Sequence, residues 1–229
     1  MLIAGLQKLT LLDYPGKTAC TVFTYGCNFR CPFCHNALLV TEKAPDFISE
    51  QELFSFLKKR QGILDGVCIT GGEPTLQKDL IPFMKKIKDM GFLVKLDTNG
   101  YRPDALKEII SQGLADYIAM DIKASPENYP EAAGIAALDF SLIADSIELI
   151  EKSGVPHEFR TTVTAELHSE EDFEKILTLF SQDTPYYLQQ FKDSGNLIDR
   201  HCSGWDTQRM KNLTVKLLTM HKNVFLREG

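Results

Sequence analysis

Long apolar runs are missing from this sequence: no window of its 229 residues approaches twenty consecutive apolar residues, the length that a membrane-spanning helix needs. Residues 1–16 also lack a basic start followed by a long apolar segment, which argues against a signal peptide. We therefore expect no membrane partner and a cytoplasmic protein.

The sequence also has no excess of positive charge. Lysine and arginine number 25 against 31 aspartate and glutamate residues, which gives a net charge of −6 and an isoelectric point near 5.4. The basic residues are scattered beside acidic ones, so nucleic acid is not an expected partner. Small molecules and proteins remain as candidate ligands.

Cysteine is scarce and unevenly distributed. Three of the six cysteines lie within residues 27–34, and a chain of this length buries enough surface to fold without disulfides. Clustered cysteines in a cytosolic chain are typical of metal ligands. The other three, Cys20, Cys68 and Cys202, have no CxxC partner, and we interpret them as ordinary thiols.

Short apolar, β-branched runs alternate with amphipathic helical patterns from residue 19 onward, which is typical of parallel βα units. The predicted strands are 19–25, 66–70, 92–97, 116–122, 158–164 and 186–191, with 223–227 as an edge strand. We expect one α/β domain over 1–229, an open partial TIM barrel of the (β/α)6 type. It has a short extension 1–18, a core over 19–192, and a C-terminal helix with the edge strand over 206–229.

Two helix starts carry capping signals, Ser49 with Glu52 and Ser169 with Asp172. The connection 124–138 has an irregular pattern. In parallel barrels, the loops after the carboxyl ends of the strands converge on one mouth. The residues that follow each predicted strand are therefore the first candidates for a functional site.

The loop after the first predicted strand reads GCNFRCPFCHN over residues 26–36. Its cysteines, Cys27, Cys31 and Cys34, are soft ligands that favour iron–sulfur or zinc sites. Three cysteines on a four-iron cluster leave one iron free to bind substrate. A structural zinc site with His35 as the fourth ligand is the alternative, although its adjacency to Cys34 would strain such a site.

The loop after the second predicted strand contains Gly71, Gly72, Glu73 and Pro74. Glycines at this position let backbone carbonyls approach a ligand that side chains would otherwise exclude. Carbonyls together with a carboxylate suit a cationic ammonium group. The alternative is a plain strand-to-helix turn.

The third and fourth predicted strands also end in polar residues: Asp97, Thr98 and Asn99 in one, Asp121 and Lys123 in the other. Taken separately, each group could be a helix cap or a solvated strand end. Taken together, two buried carboxylates at adjacent strand ends need a cation between them.

The fifth predicted strand carries Arg160 between the uncharged Phe159 and Thr161. Arginine is the natural bidentate partner of a carboxylate, which predicts a contact with an anionic ligand group. An ion pair with Glu158 on the same strand face is the alternative, and the sequence leaves both open.

The CxxxCxxC loop, with an aromatic residue before its last cysteine, resembles the signature of the radical S-adenosylmethionine (SAM) superfamily. The resemblance implies a [4Fe–4S] cluster on Cys27, Cys31 and Cys34, with SAM on the open iron and Phe33 near its adenine. The turn at 71–74 would bind the methionine part of SAM. An electron from the reduced cluster would then give methionine and a 5′-deoxyadenosyl radical, chemistry that the cofactors carry while the protein positions them.

Further motifs, CHN at 34–36, DTNG at 97–100 and D-x-K at 121–123, resemble the glycyl-radical-enzyme activases, including the pyruvate formate-lyase activating enzymes. The segment TLLDYPGK at 10–17 is similar to the second type of anaerobic ribonucleoside-triphosphate reductase activating proteins.

The activase resemblance also implies roles for the polar strand ends. Asp97 and Asp121 would hold a monovalent cation together with backbone oxygens of Thr98 and Ala119. Lys123 would meet the SAM carboxylate, and Arg160 would lie near that carboxylate or the ribose.

The partners that this resemblance implies are a glycyl radical enzyme, with anaerobic ribonucleotide reductase as the first choice, and a flavodoxin- or ferredoxin-like electron donor. The sequence ends soon after the sixth βα unit, so we expect a wide lateral opening that admits a loop of a large protein. No RVxGY-like motif precedes Gly229, so we do not expect it to be the radical site. The alternatives are a radical SAM enzyme for a small molecule, as in deazapurine synthesis, an electron carrier and a zinc-based interaction module.

Replacing Cys31 with alanine is expected to abolish both the cluster and SAM cleavage, because each of the three thiolates holds one iron. Anaerobically reconstituted wild-type protein should contain about four irons per chain. Cys20→Ala, Cys68→Ala and Cys202→Ala are the matched controls and should keep that iron content. A full [4Fe–4S] spectrum in Cys31→Ala would contradict the ligand assignment.

Overall fold

Eight strands form one sheet in the order of the chain in the computed structural model, which describes residues 1–41, 46–193 and 195–228. Gly229 lies outside the described residues. The strands are β1 (Ile3–Thr10), β2 (Ala19–Thr24), β3 (Gly66–Gly71), β4 (Leu93–Thr98), β5 (Tyr117–Asp121), β6 (His157–Val163), β7 (Tyr186–Gln190) and β8 (Val224–Arg227).

Neighbouring strands from β2 to β8 run parallel, whereas β1 is antiparallel to β2. The predicted single-domain α/β fold with a parallel sheet is therefore confirmed. Its helices are α1 (Leu38–Thr41), α2 (Glu50–Lys58), α3 (Leu80–Asp89), α4 (Pro103–Ser111), α5 (Tyr129–Ala133), α6 (Phe140–Lys152), α7 (Glu170–Ile176) and α8 (Thr207–Leu217). Within the described part of the chain, no helix is long and apolar enough to cross a membrane.

Side chains alternate between the two faces of each strand, and the alternation separates a polar interior from an apolar core. In β4, Lys95 lies in register with Cys68 of β3 and Tyr117 of β5. Its neighbours Val94 and Leu96 are fully buried on the opposite face, where α3 packs against β4. The apolar core thus lies between the sheet and the helices, and its burial supplies the main driving force for folding.

Both predicted capping signals begin helices. The Ser49 hydroxyl accepts a hydrogen bond from Glu52 N at 3.1 Å at the start of α2. At α7, Ser169 and Asp172 form the full reciprocal capping box, which satisfies backbone groups that have no partner within the helix. The connection 124–138, expected to be irregular, contains the short helix α5.

Strand β1 lies within residues 1–18, for which the sequence predicts only a short extension. Three consecutive residues of β1, Gln7, Lys8 and Leu9, are exposed, and its pairing with β2 shifts register. Neither strict alternation nor an apolar run therefore marks this strand in the sequence. Among the described residues, β8 and β1 are not joined by backbone hydrogen bonds. The sheet is therefore an open barrel with β1 and β8 as its edges.

Candidate active site

The predicted site residues, except Pro74, line one cavity at the carboxyl ends of the parallel strands. They are Cys27, Cys31, Phe33, Cys34, Gly71, Gly72, Glu73, Asp97, Thr98, Asn99, Asp121, Lys123 and Arg160. Pro74 instead opens a buried 3-10 turn directly after Glu73. His35, Thr162 and Gln189 also line the cavity.

The three clustered cysteines lie on the loop after β2, and all three are free thiols. Burial raises the pKa of Cys27 to about 11 and that of Cys31 to about 12, so these thiols need a metal to ionise at neutral pH. The sulfur of Cys27 accepts a hydrogen bond from Phe29 N at 3.3 Å. Three soft donors that line one cavity fit an iron–sulfur cluster.

Two glycines bring the end of β3 against the start of the cysteine loop. A Cβ atom on Gly72 would lie 2.0 Å from the carbonyl oxygen of Gly26. Gly71 has φ of +112°, and a Cβ there would lie 2.4 Å from Thr24 N. Glu73 N donates to Gly26 O at 2.8 Å. Only glycine at these positions permits the close contact between the two loops.

Glu73 is buried, and its carboxylate joins the end of β3 to the end of β4. Its Oε1 accepts hydrogen bonds from the Thr98 hydroxyl at 2.8 Å and the Thr75 hydroxyl at 2.6 Å. Its Oε2 accepts from Asn99 N at 2.7 Å. Burial raises the pKa of Glu73 even though these hydrogen bonds oppose the shift. The carboxylate therefore connects the ends of β3 and β4. It also lines the cavity, so its contact with a ligand ammonium stays a prediction.

Five charged side chains form an ion-pair cluster across the barrel interior: Lys95, Asp97, Asp121, Lys123 and Arg160. Arg160 lies between the two aspartates, with Nε 2.8 Å from Asp121 Oδ1 and Nη1 3.4 Å from Asp97 Oδ2. Lys123 Nζ lies 3.0 Å from Asp121 Oδ2, and Lys95 contacts Asp97 Oδ1. Burial alone would raise the pKa of Asp121, but the positive charges of Arg160 and Lys123 hold this pKa below its ordinary value.

The alternative partner for Arg160, Glu158, lies farther away. Arg160 Nη1 is 3.9 Å from Glu158 Oε1. Glu158 accepts hydrogen bonds from Arg227 Nη1 at 3.1 Å and from the Tyr117 hydroxyl at 3.0 Å. Arg160 is therefore held chiefly by Asp121 and Asp97, a pairing that neither sequence interpretation included.

His168 lies outside the sequence motifs, yet it contacts two of the strand ends that carry the site. This histidine is buried, and its ring nitrogens lie 2.8 Å from Lys123 O and 3.1 Å from Thr164 N. Since Thr164 N is a donor, Nδ1 accepts and Nε2 donates to Lys123 O. The ring thus fixes the backbone after β5 to the end of β6.

The model of the radical SAM superfamily matches residues 21–180, well over half of the chain. This chain belongs to the radical SAM superfamily. It is therefore a radical SAM enzyme, and the family implies a [4Fe–4S] cluster and SAM.

Two relatives of this radical SAM enzyme match most of its length. The candidate glycyl-radical enzyme activating enzyme MJ1227 of Methanocaldococcus jannaschii is 36% identical over 83% of this chain and 80% of its own. The pyruvate formate-lyase-activating enzyme of Clostridium pasteurianum is 28% identical over 77% of this chain and 75% of its own.

A solved structure, Streptococcus suis SuiB bound to S-adenosylmethionine, has a TM-score of 0.69 at 14% identity. The match covers 90% of this radical SAM chain and 48% of SuiB. At that identity the likeness concerns the fold alone, and this chain spans about half of the solved chain.

Gly72→Ala is expected to lower iron content and to weaken SAM binding about tenfold or more, because the new methyl group would push the Gly26 carbonyl away. Anaerobic reconstitution, iron analysis and SAM titration measure both effects. Gly5→Ala is the control, since the nearest atoms to a Cβ there belong to Phe23 and lie at 3.5 Å or more. Unchanged iron and affinity in Gly72→Ala would refute the close-contact argument.

The stability of the fold should fall as the pH drops below about 6.5, the ordinary histidine pKa. Burial lowers the pKa of His168, so the unfolded chain binds the proton first and the contribution of His168 is lost on acidification. The slope for one such group is at most about 1.4 kcal/mol per pH unit. Unfolding curves of His168→Gln across this range should show a shallower slope, whereas the exposed His201→Gln should keep the wild-type slope.

Proposed function

We propose that this radical SAM enzyme activates a glycyl radical enzyme by removing a hydrogen atom from a backbone glycine. The observation that carries the proposal is the match to activating enzymes over about four-fifths of the chain. The residues that line the cavity fit the SAM chemistry that such a reaction requires.

The cluster and SAM supply the radical chemistry. When bound, a reduced [4Fe–4S] cluster and SAM would supply one-electron cleavage of a carbon–sulfur bond, with methionine and a 5′-deoxyadenosyl radical as the products. Cys27, Cys31 and Cys34 would hold the cluster. The protein's further task is to orient SAM and to keep water away from the radical.

The charges around the cavity fit a zwitterionic amino acid group. Lys123 and Arg160 offer cationic groups to a carboxylate, and both line the cavity. The carbonyls of Gly71 and Gly72 offer acceptors to an ammonium group, with Gly71 O already accepting from Asn36 Nδ2 at 3.1 Å. Phe33 supplies a buried aromatic face for the adenine.

The open side of the barrel supports a protein substrate. A cleft lined by Leu12, Asp13, Gln190 and Arg227 shares Asp97, His35, Arg160, Thr162 and Gln189 with the cavity. Leu12 is 87% exposed on the rim of this cleft, where it can contact an incoming chain. An extended peptide entering here can bring a glycine α-carbon to the adenosyl carbon, because hydrogen transfer needs near-contact geometry.

We propose anaerobic ribonucleoside-triphosphate reductase as the glycyl radical enzyme, on the strength of the TLLDYPGK segment at 10–17. A reduced flavodoxin or ferredoxin would supply the single electron that each SAM cleavage consumes. The glycine hydrogen leaves as part of 5′-deoxyadenosine, and the unpaired electron stays on the partner.

The test combines this protein, SAM and a one-electron reductant with candidate glycyl radical enzymes and records electron paramagnetic resonance spectra. We expect a glycyl doublet with one of them, together with 5′-deoxyadenosine in comparable amount. The doublet should vanish with a Gly→Ala variant of that partner and with Cys31→Ala of this protein. SAM cleavage coupled to turnover of a small metabolite, with no protein radical, would establish the small-molecule alternative instead.

A further inference from the structure

The aspartates of the ion-pair cluster are fully engaged by side chains of the protein. Lys95 and Arg160 each form an ion pair with one oxygen of Asp97. Arg160 and Lys123 each form an ion pair with one oxygen of Asp121. Each carboxylate oxygen therefore faces a cationic group. A metal ion bound to this pair would have to share these oxygens with the cationic groups that already contact them.

The charge balance of the cluster leads to the same result. Lys95, Lys123 and Arg160 bring three positive charges to the two negative charges of Asp97 and Asp121. Glu158, 3.9 Å from Arg160, adds one negative charge, which Arg227 balances. A monovalent metal ion would add a further positive charge to a partly buried group that already carries an excess of one. Like charges at such distances repel strongly because the interior screens them poorly.

Lys95 is built into the barrel wall behind the cavity. It lies two residues before Asp97 in β4, so both side chains point to the barrel interior. Its side chain is only 2% exposed, and its Nζ lies 3.9 Å from Cys68 Sγ and 6.0 Å from the centre of the Tyr117 ring. Among the described residues, Asp97 is the one acidic group that forms an ion pair with the Lys95 ammonium.

We propose that Lys95 is a fixed internal cation of the SAM site, so that this enzyme binds SAM without the monovalent metal ion that its two aspartates would otherwise require. Lys95 is a positioning residue, because it neutralises Asp97 and so keeps that carboxylate paired with Arg160. Arg160 in turn pairs with Asp121, which also binds Lys123. The proposal needs SAM binding by this radical SAM enzyme but no glycyl radical partner, so the two can fail separately.

The first experiment uses the wild-type, cluster-loaded protein. SAM affinity, measured by anaerobic calorimetry, should be the same in potassium, sodium and tetramethylammonium chloride at equal ionic strength, which keeps screening constant. Tetramethylammonium is too large to enter a site for a metal cation. Stronger binding in potassium or sodium alone would overturn the proposal without the need for any variant.

The second experiment uses Lys95→Met, which keeps an unbranched side chain and removes the charge. In tetramethylammonium chloride its SAM affinity should fall about tenfold or more. Potassium or sodium should restore the affinity, because the vacated place beside Asp97 then accepts a metal ion. Thallium-205 resonance should detect monovalent cation binding in this variant and none in the wild type.

Two matched controls separate this role from general stability. Lys88→Met removes a lysine that pairs with Asp116 at the opposite end of the barrel, and its SAM affinity should be independent of the cation. Adding Asp97→Asn to Lys95→Met should remove the cation rescue. If Lys95→Met keeps its iron but shows either unchanged affinity or a loss that no cation restores, the proposal is wrong.

Discussion

The contact between the Gly26 carbonyl and the backbone of Gly72 is the constraint on which the site depends. Through it, and through the hydrogen bond from Glu73 N to Gly26 O, the cysteine loop is fixed to the end of β3. Glu73 then extends the connection to the end of β4 through Thr98 and Asn99. Three loops that are distant in sequence are thereby held as one rigid wall, as orientation of a reactive cofactor requires.

The second requirement is electrostatic. Burying a charge costs free energy unless it is paired and hydrogen-bonded, and the barrel interior contains several. The strands solve this by presenting opposite charges at neighbouring positions, as Asp121 of β5 lies in register with Arg160 of β6. Lys123 and Arg160 can therefore stay charged beside the cavity, where they attract an anionic group without having to become ordered on binding.

Much of this arrangement could be predicted from the sequence. Parallel βα units place their polar strand ends at one mouth, so Cys27, Gly72, Asp97 and Asp121 could be grouped before any coordinates. Lys95 was missed because a lysine within a strand resembles a solvated residue, although its spacing of two from Asp97 placed both on one face. His168 was missed because it hydrogen-bonds to backbone atoms after β5 and β6. Hydrogen bonds to the backbone leave no pattern of residue types in the sequence.

The open edge of the barrel and the ion-pair cluster belong to one continuous space. The cleft between the loop after β1 and the strands β7 and β8 is lined by Asp97, Arg160 and Arg227, so a ligand entering there would pass the charged interior before it reached the cysteine loop. A mobile counter-ion in this passage would have to be held against exchange with solvent. Covalently attached cations such as Lys95 and Arg160 keep the charge balance unchanged when a ligand enters or leaves, because they cannot diffuse away from the site.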